Sequence, residues 1–319
     1  MGEIVGLGGG IGSSRLWRVL ARAVGPSSLT LIVSTAGDLR LHGLRICPDL
    51  DSTLYALSGR QDSERGWGLR DESFRCQSAL RDLGGESWFS LGDLDLATHL
   101  YRTGLLGGGA TLTEVTARLA TALGVRSRVL PMTDHDVTTM ISTTDDRLLP
   151  YAEYLLHEQA APGVRGVRFD GIGAARPAPG VLAAIESADL IVLGPSNPVA
   201  SMLPILGLPG VTQALEQHRD RVVAVSPVVA AVPFTDEAER SRGQARAALL
   251  AAINLPATAA GVARLYRDIC ARLVYDRADQ GEGARIEAQG PQPVAADLLL
   301  HQGASPDSLL SALLGRAVA

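Results

Sequence analysis

The run His42-Gly43-Leu44-Arg45-Ile46-Cys47-Pro48-Asp49-Leu50-Asp51 carries two carboxylates, a histidine and a proline stop directly after an apolar, strand-like segment. A loop of this kind sets short acidic arms at the carboxyl end of a strand, where open α/β sheets bind their ligands. Asp49 and Asp51 offer hard oxygen ligands, the type that Mg²⁺ and a phosphorylated substrate would use together. An Asp-x-Asp pair is also common on surface turns, so its neighbours have to decide.

Four further clusters surround it. Gly8-Gly9-Gly10-Ile11-Gly12-Ser13-Ser14 lies between a strand and a helix, the setting in which glycines and free helix N–H groups cradle phosphate. No lysine follows the glycines, and Ser13 stands where GxGxxG would need its last glycine; a structural turn is the competing reading. Gly194-Pro195-Ser196-Asn197-Pro198 follows another strand, and either hydrogen-bonds a base, sugar or phosphate or simply makes a rigid turn. In Gly92–Thr103 the acids Asp93 and Asp95 suit helix capping. His99 and Arg102, three apart, share a helix face that contacts either phosphate or solvent. Pro131-Met132-Thr133-Asp134-His135-Asp136 is a polar turn after a strand, with metal binding its less favoured role.

These residues need a scaffold, and the 319-residue chain has material for one: 46% of it is hydrophobic. Apolar segments at Glu3–Leu7 and Leu29–Val33 flank a helix over Ser14–Ala23, a βαβ beginning that favours a parallel sheet. Between about 58 and 124 the pattern turns helical and holds Trp67, Phe74, Trp88 and Phe89, as expected of an inserted helical lid. Strands are expected again at Arg128–Leu130, Val164–Phe169, Leu190–Leu193, Val222–Val225 and Val294–Leu300. Helices are expected at Ala259–Arg272 and Pro306–Leu314, with a surface turn over Gly281–Gln292. The fold class read from this is α/β, a single domain over 1–319 with helices on both faces of the sheet.

Charge and composition exclude other classes. A net charge of −5 gives no general attraction to nucleic acid. No apolar run approaches the roughly 18 residues that span a bilayer, and a strand opening the chain leaves no room for a signal peptide. Cys47, Cys76 and Cys270 are far apart with no CxxC pair, which fits structural thiols in a reducing cytoplasm.

Taken in order, the turns resemble the 2-phospho-L-lactate transferase family, the CofD/FbiA enzymes of coenzyme F420 biosynthesis. The resemblance spans nearly the whole chain. It runs from Gly8–Leu16 and His42–Asp51 through Arg65–Gly68, Trp88–Thr103, Leu112–Thr116 and Leu130–Asp134. It continues through Gly194–Pro198, Val225–Pro227 and Gly261–Tyr266. It implies a Rossmann-like parallel sheet, a homodimer and Mg²⁺ dependence. It further implies a guanosine-diphospho-acid donor whose phospho-acid, of the 2-phospholactate, phosphoenolpyruvate or 3-phosphoglycerate type, moves to the ribityl hydroxyl of the deazaflavin Fo and releases GMP.

On this resemblance Asp49 and Asp38 hold the metal, and one of the two accepts the hydroxyl proton; His42 joins them as a candidate catalytic residue. Gly9, Gly10, Gly12 and Ser13 cradle the diphosphate, Ser196 and Asn197 meet the guanosine side, and Asp51, His99 and Arg102 complete the substrate contacts. Trp67, Trp88 or Phe89 stacks on the deazaflavin, unless these rings serve only as packing.

The chain departs from the family pattern at three places. Ser34-Thr35-Ala36-Gly37-Asp38 replaces Asn-Thr-Gly/Ala-Asp-Asp, so one carboxylate is missing and weaker Mg²⁺ binding is expected. Acidic residues in the 232–239 turn stand where a cation would face phosphate. Tyr151-Ala152-Glu153-Tyr154 keeps only part of a Phe-Gln-Glu-Tyr element. These changes motivate two alternatives, a paralogue with a different acceptor and a non-catalytic nucleotide-binding regulator. A nicotinamide oxidoreductase fits worst, since no acidic residue ends the second strand.

Overall fold

The computed structural model describes residues 2–234, 236–300 and 305–315. The remaining positions, which include Thr235 of the 232–239 turn and both ends of the expected 1–319 domain, lie outside the described residues.

The chain opens with β1 (Ile4–Leu7), α1 (Gly10–Val24) and β2 (Leu29–Val33). A hairpin of β3 (Leu39–Leu41) and β4 (Leu44–Ile46) follows, then α2 (Pro48–Leu57), α3 (Arg75–Asp82), α4 (Asp93–Gly107), α5 (Leu112–Ala122) and β5 (Arg128–Pro131). Strands β6 (Thr138–Thr143), β7 (Leu148–Pro150) and β8 (Val164–Asp170) form a small antiparallel sheet of their own. The chain then returns through α6 (Val181–Ser187), β9 (Leu190–Leu193), α7 (Leu203–Leu206), α8 (Val211–Gln217) and β10 (Val222–Val225). It closes with α9 (Glu237–Ala252), α10 (Ala259–Tyr266), β11 (Arg272–Asp276), α11 (Glu282–Glu287), β12 (Gln292–Ala296) and α12 (Asp307–Leu314).

Seven strands make one parallel sheet in the order β12-β11-β10-β9-β1-β2-β5. Alternate side chains enter two separate cores. Val5, Leu7, Ile191, Leu193, Val222 and Ala224 pack on one face with α6, α8, α9 and α10. Ile4, Val192, Val223, Val225 and Val274 pack on the other with α1, α2, α5 and α12. Near-continuous apolar strands are what a sheet covered on both faces requires. The expected α/β sheet flanked by helices is therefore the fold.

Chain order reverses beside β1: the chain moves outward to β2 and β5, then crosses back to β9. The crevice at such a reversal, outside the carboxyl ends of the strands, is where ligands bind in open α/β sheets. It lies between the turn after β1 and the turn after β9, both singled out above.

Several elements differ from expectation. Asp49 and Asp51 do not sit on a loop: Pro48 starts α2 and both acids lie in its first turn, a favourable place for carboxylates. His42 and Gly43 form the β3–β4 turn with positive φ. The expected helix at Ala259–Arg272 ends at Tyr266, and Leu273 belongs to β11; the apolar spacing runs unbroken across the boundary and hides it. Residues Val164–Phe169 form a strand, but in the small sheet. The late strand is Gln292–Ala296 rather than Val294–Leu300, and the expected turn at Gly281–Gln292 contains α11. Within 58–124, α4 packs on β4 and α3 lies against α4, whereas α5 packs its Leu112, Val115 and Leu119 into the main core. Cys47 and Cys270 are buried and Cys76 is exposed, all three free. Among the described residues no single helix is long and apolar enough to cross a membrane.

Candidate active site

A cavity of about 900 Å³ opens at the chain reversal. Its floor is the glycine turn. Gly8 and Gly10 take positive φ (147° and 78°), which an L side chain resists, and Gly9 is the extended N-cap of α1 with no side-chain cap. The turn is held from across the sheet: the Gly9 N–H donates to Ser196 Oγ (2.8 Å), and Ser196 and Ser13 hydroxyls meet at 2.7 Å. Uncapped N–H groups at the start of α1 are a ready anion site.

Asp49 lies directly on this turn. A Cβ built on Gly9 would run into its carboxylate, and the Gly10 N–H donates to it. Burial pushes the Asp49 carboxyl up to about 7, and the negative field of Asp38 adds to the rise. Asp38 is itself raised to about 6, by burial working against Arg45. Arg45 binds Asp38 Oδ2 through Nε (3.3 Å) and Nη2 (3.0 Å) and reaches Asp136 with Nη1. Asp38 Oδ1 is buried without a hydrogen-bond partner among the described residues.

Deeper along α2 lies a second, closed network. Arg102 grips Asp51 with both terminal nitrogens, Nη1 at 3.2 Å from Oδ2, and its Nη1 lies 3.1 Å from His99 Nδ1. Because arginine can only donate, Nδ1 must accept, and the His99 proton belongs on Nε2, which faces Asp95 Oδ2 at 3.4 Å. Tyr55 OH donates to Asp95 Oδ1 at 2.6 Å. Against the cost of burial, the adjacent His99 ring and the hydrogen bond from Tyr55 hold the Asp95 carboxyl below its ordinary range. One ligand atom each from Asp51, Asp95 and His99 would fall within 4.8 Å of the others, so this trio could hold a metal. The two-pronged grip of Arg102 on Asp51 competes with that use.

The lining is of two chemistries: apolar Trp67, Trp88, Phe89, Leu155, Leu156, Phe234 and Leu299, and polar Tyr151, Arg15, Arg242 and Arg246. Tyr151 OH accepts from Asn197 Nδ2 (3.2 Å), and burial pushes its hydroxyl up to about 12.

The family pattern described as 2-phospho-L-lactate transferase CofD matches residues 4–305. The chain belongs to this family. It is 39% identical over 304 residues to a phosphoenolpyruvate transferase of Kitasatospora aureofaciens, covering 93% of this chain and 92% of that one. It is 34% identical over 292 residues to a 2-phospho-L-lactate transferase of Methanosarcina mazei, covering 92% and 93%. A solved UPF0052-family structure from Bacillus halodurans superposes with a TM-score of 0.60 at 18% identity, covering 95% and 94% of the two chains, and shares the fold.

In this CofD-family transferase the structure brings Gly9, Gly10, Gly12, Asp49, Asp51, His99, Ser196 and Asn197 to one cavity. Four other candidates stand elsewhere. Ser13 is fully buried beneath the turn and bonded to Ser196. Asp38 sits behind Asp49 and contacts it electrostatically. Arg102, expected on a helix face that could reach phosphate, is 1% exposed and committed to Asp51. His42 is exposed on the hairpin turn with Nε2 3.0 Å from the Glu86 carbonyl and does not line the cavity. The polar atoms of Ser196 and Asn197 are also occupied: Asn197 Oδ1 caps Val199 and Ala200 N–H at 3.0 Å. Their immediate work is to shape the two turns. Asp134 binds the Thr113 N–H and hydroxyl (2.7 and 2.8 Å) and does not replace the carboxylate missing at Gly37.

Arg242 and Arg246 were not anticipated. They stand four apart on α9, where the spacing that aligns them is visible only once the helix is known, and the acids that precede them draw the eye. In the sequence Tyr151 is visible only as part of an incomplete Phe-Gln-Glu-Tyr element.

Proposed function

We propose that this CofD-family enzyme transfers a phospho-acid from a guanosine-diphospho donor to the ribityl hydroxyl of Fo, releasing GMP. The observation that carries the reading is the cavity itself, lined both by the glycine turn with Asp49 and by the rings of Trp67, Trp88 and Phe89. A diphosphate suits the first and a flat deazaflavin the second. The volume is at the upper end of what single-ligand pockets need, as two substrates require.

Asp49 and Asp38 would hold Mg²⁺. The fit rests on Asp38 Oδ1, buried without a hydrogen-bond partner among the described residues, and on Asp49, whose charging the nearby Asp38 opposes; an all-oxygen set suits a hard cation. When bound, the ion would neutralise charge on the diphosphate oxygens. The chain's own groups do the positioning on which phosphoryl transfer mostly depends. With the Gly9 and Gly10 N–H groups engaged by Ser196 and Asp49, the following N–H groups of the first turn of α1 orient the diphosphate, and the apolar residues exclude water. Arg102 and His99 fix Asp51 at the floor. We assign the hydroxyl proton to Asp49, because it lines the cavity and Asp38 does not. The homodimer and the cytoplasmic setting belong to the same proposal.

The test is an assay with purified protein, Mg²⁺, Fo and each guanosine-diphospho-acid donor in turn, following GMP release and product mass. Product carrying the acid on Fo supports the reading. GMP release without an Fo product supports the second reading, a paralogue with another acceptor. Gly37 motivates that second reading: a Cβ there would meet nothing within 4 Å, so packing does not require the loss of the family's carboxylate.

A further inference from the structure

The arginines around the cavity are of two kinds, the buried Arg45 and Arg102 and the half-buried Arg15, Arg242 and Arg246. Arg45 and Arg102 are each clamped to carboxylates, Asp38 with Asp136 and Asp51 respectively. Arg15, Arg242 and Arg246 are not. Among the described residues none of the three has an ion-paired carboxylate, although all three line the cavity. Arg15 lies one turn beyond Gly12 on α1, with its guanidinium against Gly66. Arg242 and Arg246 stand one turn apart on α9, and Arg246 donates to the Pro227 carbonyl.

The three charges also feel one another. Burial lowers the Arg242 guanidinium; Asp236 and Glu239 oppose the shift and Arg15 adds to it. Burial lowers Arg246 as well, with Tyr151 opposing and Arg242 adding. Asp236 is occupied in capping the Glu239 N–H at 2.7 Å. Like charges gathered in a partly desolvated wall destabilise the empty protein, and an anion placed among them would relieve that cost. The same cavity carries Asp49, and Tyr151 feels both kinds of charge: that of Asp49 and that of Arg246 act on its hydroxyl in opposite directions. The cavity is thus lined by a carboxylate and by three guanidinium groups that, among the described residues, no carboxylate pairs.

We infer that Arg15, Arg242 and Arg246 form an oxyanion-binding pole for a second anionic group of the substrate, and that α9 thereby supplies the cations missing from the 232–239 turn. This rests on the transferase reading above. The group is a phosphate or carboxylate of the phospho-acid donor, since guanidinium forks recognise both. A wall of this kind selects donors by where their second anion lies.

The experiment titrates the full chain, with Mg²⁺, by calorimetry against two probes: GDP, which has no carboxylate, and phosphoenolpyruvate, which joins a carboxylate to one phosphate. Arg242→Gln is compared with Arg242→Lys and with Arg118→Gln on the exposed face of α5, each checked for an unchanged thermal transition. Loss of one charge-assisted contact weakens binding roughly tenfold to a hundredfold. The expected result is such a loss in Arg242→Gln, partial recovery in Arg242→Lys and no change in Arg118→Gln. A loss confined to phosphoenolpyruvate identifies a carboxylate pole, and a loss that includes GDP identifies a phosphate pole. Equal binding by wild type and Arg242→Gln, or no binding of either probe by wild type, overturns the inference. The transferase reading fails separately, when probes bind as expected but no donor turns over with Fo.

Discussion

Asp49 rests on Gly9 with no room for a side chain between them. The contact joins the first turn of the sheet to the first turn of α2, 40 residues later in the chain.

Replacing Gly9 with alanine tests this contact. The extended backbone at Gly9 (φ −153°) accepts alanine without strain, so the fold should survive with a modest drop in thermal midpoint. The displaced Asp49 should cost turnover on the order of a hundredfold, the usual penalty for misplacing a reacting group by about 1 Å. Parallel measurement of kcat and the unfolding midpoint checks the prediction; unchanged kcat would show that Asp49 moves freely.

The acidity of Asp49 and Asp38 sets a second expectation. Their folded values, about 7 and about 6, exceed the ordinary 3.8. The folded state therefore binds protons that the unfolded chain has released. Stability from this source is complete below about pH 4 and is lost as pH rises through 6 and then 7. The metal-free protein should melt lower at about pH 8 than at about pH 5, and Mg²⁺ should restore the midpoint most strongly above about pH 7. Asp49→Asn should flatten the profile and abolish the Mg²⁺ response. A series of thermal melts with and without Mg²⁺ decides it.

The pairing of Arg102 with Asp51 gives a third. Arg102→Met leaves a buried carboxylate without its partner, and about 3–5 kcal/mol of stability should be lost. Arg102→Met combined with Asp51→Leu should recover much of that loss, because apolar replacement of a whole buried pair is often tolerated. Denaturant unfolding of the two variants supplies the comparison. Equal losses would mean that the pair acts through packing alone.

Gly37 supplies a fourth. Open space surrounds it and its φ is not positive, so Gly37→Asp should fold with stability within about 1 kcal/mol of the parent. A carboxylate restored beside Asp38 should tighten Mg²⁺ binding. Calorimetric titration with Mg²⁺ measures the change, and unaltered affinity would place position 37 outside the metal's reach.

Much of the scaffold was legible because a doubly covered parallel sheet writes itself as short, wholly apolar runs: Leu29–Val33, Leu190–Leu193 and Val222–Val225 stand where expected. Strand β11 was not legible, because Leu273 continues the apolar spacing of the helix ending at Tyr266. At the site, Gly9, Gly10, Gly12 and Asp49 do line one cavity, and their grouping was legible because each lies directly after a strand or at the start of a helix. Arg102 and Ser13 could be recognised as polar, but not as buried and committed, since a partner such as Asp51 lies 51 positions away. Arg242 and Arg246 stayed hidden because a shared helix face means little until the neighbouring wall is known.

The hydroxyl of Ser196 has a consequence for the order in which the protein acquires its parts. It bonds both the N–H and the carbonyl of Gly9, across 187 positions. A chain still on the ribosome and stopped before Leu190 would contain the whole glycine turn, α1 and Asp49, yet lack the strand that flanks β1 and the hydroxyl that pins the turn. Residues 8–13 are thus made first and shaped late. Until β9 pairs with β1, the growing protein has the residues of the glycine turn without its geometry, and whatever that turn is to bind must wait until the second half of the sheet has been synthesised.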